Sequence, residues 1–246
     1  FDAMIQENYV KKSIILSKNH IPIKDQKNNN DEENETESDD SETELGEKCD
    51  DLLKQNSITY LSFSGSYGHF YITERKINLS NIHTLDWYEY QNKLFRDIMN
   101  FYKENNYCKV FLNGEPGKGK TFFAYLMAQR LNCYLTDQYN PTDPGSSLNS
   151  LYHRAKKVSP NKPLILVLDE VDVLLNKIHN KEMSNHKHYK SEIYDKTSWN
   201  QFHDKISYGL YPYLIIIMIS NKKKECIEKM DSAYLRKGRT NLFVEW

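Results

Sequence analysis

Lys120 and Thr121 close the run Gly114-Glu115-Pro116-Gly117-Lys118-Gly119-Lys120-Thr121, which meets the phosphate-binding pattern G-x-x-x-x-G-K-[ST] at every fixed position. The residue types suit that chemistry. Glycines let the backbone turn tightly enough to aim successive N–H groups at phosphate oxygens, and a helix starting behind them adds its positive end. The Lys120 ammonium would reach the β- and γ-phosphates of a nucleoside triphosphate, and the Thr121 hydroxyl would ligate Mg²⁺.

Two further groups extend this chemistry. Leu164-Ile165-Leu166-Val167-Leu168-Asp169-Glu170 is a continuous apolar run ending in two carboxylates. Such a run reads as a strand buried on both faces, and acids at its C-terminal end fall where open α/β sheets bind ligands. Asp169 suits holding Mg²⁺ through water, and Glu170 suits orienting and polarising an attacking water. Asn221 follows a third apolar run, 213–219, and ends the same kind of strand, which makes it a polar group aimed at the γ-phosphate.

The elements that must position these groups can be read from hydrophobic periodicity. Strands are expected at 108–113, 133–136, 164–168, 213–219 and 241–246, with helices at 85–104, 122–130, 146–158, 171–181, 198–206 and 222–230. Thr84 or Asp86 can cap the first helix, and 231–239 reads as a helix and turn. Strands alternating with helices imply an α/β fold: a five-stranded parallel sheet with right-handed crossovers, flanked by helices.

Upstream, residues 1–78 read as a small β-rich unit. It contains an apolar run at 13–16, a disordered acidic insertion at 25–51 too poor in aliphatics to offset its ordering entropy, and a hairpin formed by 57–63 and 69–73. Residues 79–246 are then the catalytic core.

A net charge of −1 and the lack of a basic face or base-stacking module argue against a nucleic-acid partner. The four cysteines form no C-x-x-C pair and read as core thiols in a reducing compartment. His186 and His188 have no partner at metal-ligand spacing and read as a solvated loop. Every apolar run is shorter than the roughly 18 residues a membrane helix needs, and the default location is the cytoplasm. The chain begins at Phe1 rather than Met, which leaves room for an anchor or targeting segment upstream. Lys outnumbers Arg, and Asn, Ile and Tyr abound, as in the A+T-rich coding genome of a large virus or a protist.

Taken together, these motifs resemble the AAA family of ATPases, within the P-loop NTPase fold. Gly114 to Thr121 is similar to its Walker A, Leu164 to Glu170 to its Walker B with a catalytic Glu, and Ile219-Ser220-Asn221 to its sensor-1 segment. Asp231-Ser232-Ala233-Tyr234-Leu235-Arg236-Lys237-Gly238-Arg239 is similar to the segment that supplies arginine fingers. The resemblance implies ATP and Mg²⁺ as ligands, and a ring, commonly a hexamer, in which Arg236 and Arg239 reach the neighbouring subunit's ATP. It implies hydrolysis coupled to remodelling or translocation of a protein client. A nucleic-acid motor on the same core, such as a helicase or packaging ATPase, and a non-hydrolysing nucleotide-dependent scaffold are the alternatives.

Residues 74–79 and 197–202 lean toward the mitochondrial branch that translocates the folded Rieske iron–sulfur protein. Three departures from the family pattern stand out. Glu115 and Lys118 replace residues usually Pro and small, so Glu115 should point away or pair with Lys118. Residues 138–145 lack the aromatic-aliphatic-Gly loop of threading members. The helical lid of the family would begin where the chain stops, at Trp246.

Overall fold

Apolar runs bounded by turn residues become strands, and three of them, at the centre of the sheet, are buried along almost their whole length because helices cover both faces. The computed structural model describes residues 57–66, 69–79, 87–183 and 191–246. The order is β1 (Ser57–Ser66), β2 (His69–Asn78), α1 (Glu89–Asn105), β3 (Tyr107–Asn113), α2 (Lys120–Leu131), β4 (Tyr134–Thr136) and α3 (Leu148–Val158). There follow β5 (Leu164–Leu168), α4 (Val171–His179), α5 (Lys196–Ser207), β6 (Leu214–Ser220), α6 (Lys224–Met230) and β7 (Leu242–Glu245).

The strands form one sheet in the order β2-β1-β4-β5-β6-β3-β7. All neighbours are parallel except the β1–β2 hairpin. The five expected parallel strands are therefore present and contiguous. The hairpin expected in a separate N-terminal unit instead extends this sheet, with Thr59 and Tyr60 of β1 opposite Tyr134 and Leu135 of β4. The acidic insertion, the run at 13–16, and His186 and His188 lie outside the described residues.

Alternation along the strands divides the core in two. Leu164, Leu166 and Leu168 of β5 and Leu214, Ile216 and Met218 of β6 face α3, α4 and α5. Ile165 and Val167, and Ile215, Ile217 and Ile219, face α1 and α2. The register pairs Asn113 with Ser220 and Leu168 with Met218, so β3, β5 and β6 finish together and the loops after them share one edge. That is where a doubly wound sheet collects its ligand-binding groups.

Two expectations shift. α1 starts at Glu89 rather than near 85, behind the non-helical Trp87 and Tyr88, where the Gln91 side chain accepts from the Tyr88 N–H at 3.1 Å. The helix expected within 231–239 is a series of turns. Asp231 accepts from the Ala233 N–H at 2.8 Å, a local side-chain bond that competes with helix. Among the described residues no helix is long and apolar enough to cross a membrane.

Candidate active site

The loop after β3 is shaped by three glycines. At Gly114 a Cβ would lie 2.5 Å from the Trp246 carbonyl oxygen, so no larger residue fits without displacing that backbone. Gly117 and Gly119 both take φ of +80°, which only glycine adopts readily, and open space lies beside each. Gly119 turns directly into α2, and its carbonyl accepts from the Phe123 N–H at 3.0 Å. Glu115 pairs with Lys118 at 3.7 Å on the exposed outer side, so its charge is turned toward a cation.

Lys120, the first residue of α2, is 6% exposed, and its ammonium folds over the loop. It donates to the carbonyls of Gly114 at 2.7 Å and Glu115 at 2.8 Å, and to Asn221 Oδ1 at 3.1 Å. Burial pulls its pKa below the ordinary lysine value, while Asp169 and Asp172 oppose the shift. The next residue, Thr121, donates its hydroxyl to Asp169 Oδ2 at 2.9 Å. Asp169 Oδ1 accepts from the Glu170 N–H at 2.8 Å, which fixes the carboxylate's other face.

Glu170 is exposed and sits at φ 50°, ψ 40°, the left-handed region, as the residue that opens α4. For a residue with a Cβ this conformation costs about 1–2 kcal/mol.

Asp172, on the first turn of α4, is a member of the site that the motifs did not reveal. It is 4% exposed, and its Oδ1 accepts from the Asn221 N–H at 3.4 Å. The signal available was its place three residues after Asp169, in the first turn of the following helix. Asn221 is thus held by its backbone on α4 while its side chain meets Lys120.

The geometry therefore brings Gly114 to Thr121, Asp169, Glu170 and Asn221 into one cluster. It does not bring in the two arginines. Arg239 is 3% exposed and its guanidinium donates to the Ala233 carbonyl, within its own turn. Arg236, three residues earlier, is exposed. Of the two arginines expected to reach a neighbouring subunit's ATP, Arg236 is exposed and Arg239 is packed into its own turn.

The donor set fits a hard divalent cation. The Thr121 hydroxyl and Asp169 carboxylate supply two oxygens 2.9 Å apart. Among the described residues no group of three His, Cys, Asp or Glu could hold a metal, so phosphates and water would complete the shell, as is usual for Mg²⁺. Beside the loop a cleft of about 320 Å³ is lined by Asn113, Gly114, Glu115, Lys118, Asn221, Lys223, Glu245 and Trp246.

The family model for the ATPase family associated with various cellular activities (AAA) matches residues 110–246, more than half of the chain, and takes in every site residue named above. A search of curated proteins found no match.

Proposed function

The chain belongs to the AAA family of ATPases, and from that premise we propose that it binds ATP with Mg²⁺, hydrolyses it within a ring of subunits, and couples hydrolysis to remodelling of a protein client. One observation carries the hydrolytic reading: the adjacent residues Lys120 and Thr121 at the start of α2 bond Asn221 and Asp169 respectively, which stand at the ends of two other strands.

The loop N–H groups, freed by glycines at positive φ, bind phosphate oxygens. Lys120 exchanges its bonds to the Gly114 and Glu115 carbonyls for bonds to phosphate, keeping Asn221 as a guide. Bound Mg²⁺ would draw charge from the phosphate oxygens. Thr121 and Asp169 would hold that ion, and Glu170, beyond them, accepts a proton from the attacking water. Arg236 of the adjoining subunit supplies a fixed positive charge to the phosphoryl group in transit.

A folded client suits the chain better than a threaded one. The aromatic residue of the loop after β4, Tyr139, is 4% exposed and its hydroxyl donates to Glu192, so it cannot grip an extended peptide. ATPase rate against protein concentration, for the parent and Arg236→Ala, tests the ring. A steep rise with concentration that Arg236→Ala abolishes is expected; a rate independent of both would leave hydrolysis within one subunit. No turnover at any concentration, with ATP bound, would favour the non-hydrolysing scaffold.

A further inference from the structure

Lys109 is out of place by composition. It occupies β3, where Cys108, Val110, Phe111 and Leu112 are fully buried, and it is itself 0% exposed. An ammonium is costly to bury unless its donors are met, and any aliphatic side chain would serve the strand.

Its donors are met by three acceptors: Ser207 Oγ at 2.7 Å, the His203 carbonyl at 3.0 Å and the Gly238 carbonyl at 2.5 Å. The backbone of the same residue repeats the tie. Its N–H donates to Asn241 Oδ1 at 2.8 Å, and its carbonyl accepts from the Asn241 N–H at 2.8 Å. One residue therefore holds the last turn of α5 and the 238–241 segment against β3. Burial lowers the Lys109 pKa to about 8, Asp204 acting against it, which fits an ammonium kept for its bonds rather than for solvation.

The segment it holds is the one that presents Arg236. Gly238, at φ +95°, lies two residues beyond, and the Arg236 carbonyl accepts from the N–H groups of Arg239 at 2.9 Å and Thr240 at 3.3 Å. Fixing Gly238 therefore fixes the turn from which the exposed guanidinium projects.

We propose that Lys109 is a positioning residue for Arg236, clamping the arginine-bearing turn to the strand that runs directly into the phosphate loop. The inference rests on the reading that Arg236 serves a neighbour's nucleotide. An apolar residue at 109 would fill the core and keep the backbone bonds to Asn241, but it would leave the Gly238 carbonyl to the Ser207 hydroxyl at 3.0 Å, with no side-chain tie from β3 to the arginine-bearing turn.

A mixed-subunit ATPase assay separates the two readings. Arg236→Ala and Lys109→Met chains are each assayed alone and in equal mixture with Glu170→Gln, whose own site is inactive but whose arginine turn is intact. Alone, Arg236→Ala falls at least about 100-fold and Lys109→Met about tenfold, with affinity for a fluorescent ATP analogue held within about twofold. In the mixture both regain turnover, because a Glu170→Gln neighbour supplies the turn that each lacks. A purely structural loss within the Lys109→Met subunit would not be rescued by a neighbour. Recovery of Arg236→Ala without recovery of Lys109→Met overturns the proposal for Lys109 and leaves the ring. Failure of Arg236→Ala to recover overturns the trans role of Arg236 itself, and the clamp with it. Should Lys109→Met not bind the analogue, Ser207→Ala, which removes one acceptor of the ammonium together with the hydroxyl's own bond to the Gly238 carbonyl, is run in its place. A severalfold loss rescued by the mixture is expected there, and parent-like turnover would overturn the clamp.

Discussion

The Thr121 hydroxyl donates to Asp169 Oδ2 across 2.9 Å, joining the phosphate loop to the end of β5 over 48 residues of sequence. A hydroxyl and a carboxylate are hard oxygen donors, so Thr121 and Asp169 are the residues that would hold Mg²⁺. Asp169→Asn keeps the shape and a hydrogen-bonding partner for Thr121 but removes the charge. Turnover should fall at least about 100-fold, equivalent to about 2.7 kcal/mol of barrier. ATP affinity should also become nearly insensitive to chelation of Mg²⁺, which titration of a fluorescent analogue with and without EDTA would show. Equal Mg²⁺ dependence in the variant and parent would move the metal elsewhere.

Glu170, the proposed proton acceptor, also has a strained backbone, at φ 50°. Glu170→Gln should bind ATP as the parent does and lose about 10²–10⁴ in turnover, the usual share of a general base. Glu170→Gly should lose the same activity yet unfold no more easily, because relief of the left-handed strain offsets the greater freedom of glycine in the unfolded chain. Thermal melts of the two variants are the measurement. A marked drop in melting temperature for Glu170→Gly alone would mean that the side chain, not the backbone, holds the start of α4.

The Asp172 carboxylate receives the Asn221 N–H, and Asn221 in turn receives a donor of Lys120. Asp172→Ala should therefore act at one remove, lowering kcat by about tenfold while KM for ATP changes little, since the phosphate loop stays formed. Asn221→Ala should produce a similar loss, and the double variant should lose little more, because both act through one contact. Steady-state kinetics on the three chains checks this, and full additivity of the two losses would separate the residues.

What could be read without the fold divides along physical lines. Gly114 to Thr121 and the Asp169–Glu170 pair were legible because phosphate chemistry demands fixed residue types at fixed spacing beside apolar strands. The three central strands β3, β5 and β6 were legible because a parallel sheet covered on both sides writes itself as nearly unbroken apolar runs. Lys109 was not, since nothing in a strand run says which acceptors a lone lysine will meet; they come from residues about 94 and 129 positions away. The joining of β1 to β4 was hidden for a similar reason. It rests on two residue pairs and on Tyr60 and Tyr125 sharing Asp137, contacts with no local signature. The inward turn of Arg239 is likewise a packing result, invisible in a pattern where Arg236 and Arg239 look equivalent.

The imidazole of His203 gives the fold an acid limit. It is fully buried with both ring nitrogens lacking a hydrogen-bond partner, and it lies against Trp199 with ring centroids 4.4 Å apart. Burial, with the Lys109 and Arg239 charges added, holds its pKa well below the ordinary 6.5, so the native state keeps it neutral. In the unfolded chain it takes up a proton as pH falls through 6.5. The unfolded state then binds more protons than the native state, and stability must fall as pH drops. The contribution is fully present above 6.5 and lost progressively below it, at up to about 1.4 kcal/mol per pH unit. Urea unfolding midpoints measured from pH 7.5 to about 5 should decline for the parent, with His203→Phe declining less over the same window, since phenylalanine keeps an aromatic ring beside Trp199 without a titrating nitrogen. Parallel declines for the two chains would assign the acid sensitivity to the carboxylates instead.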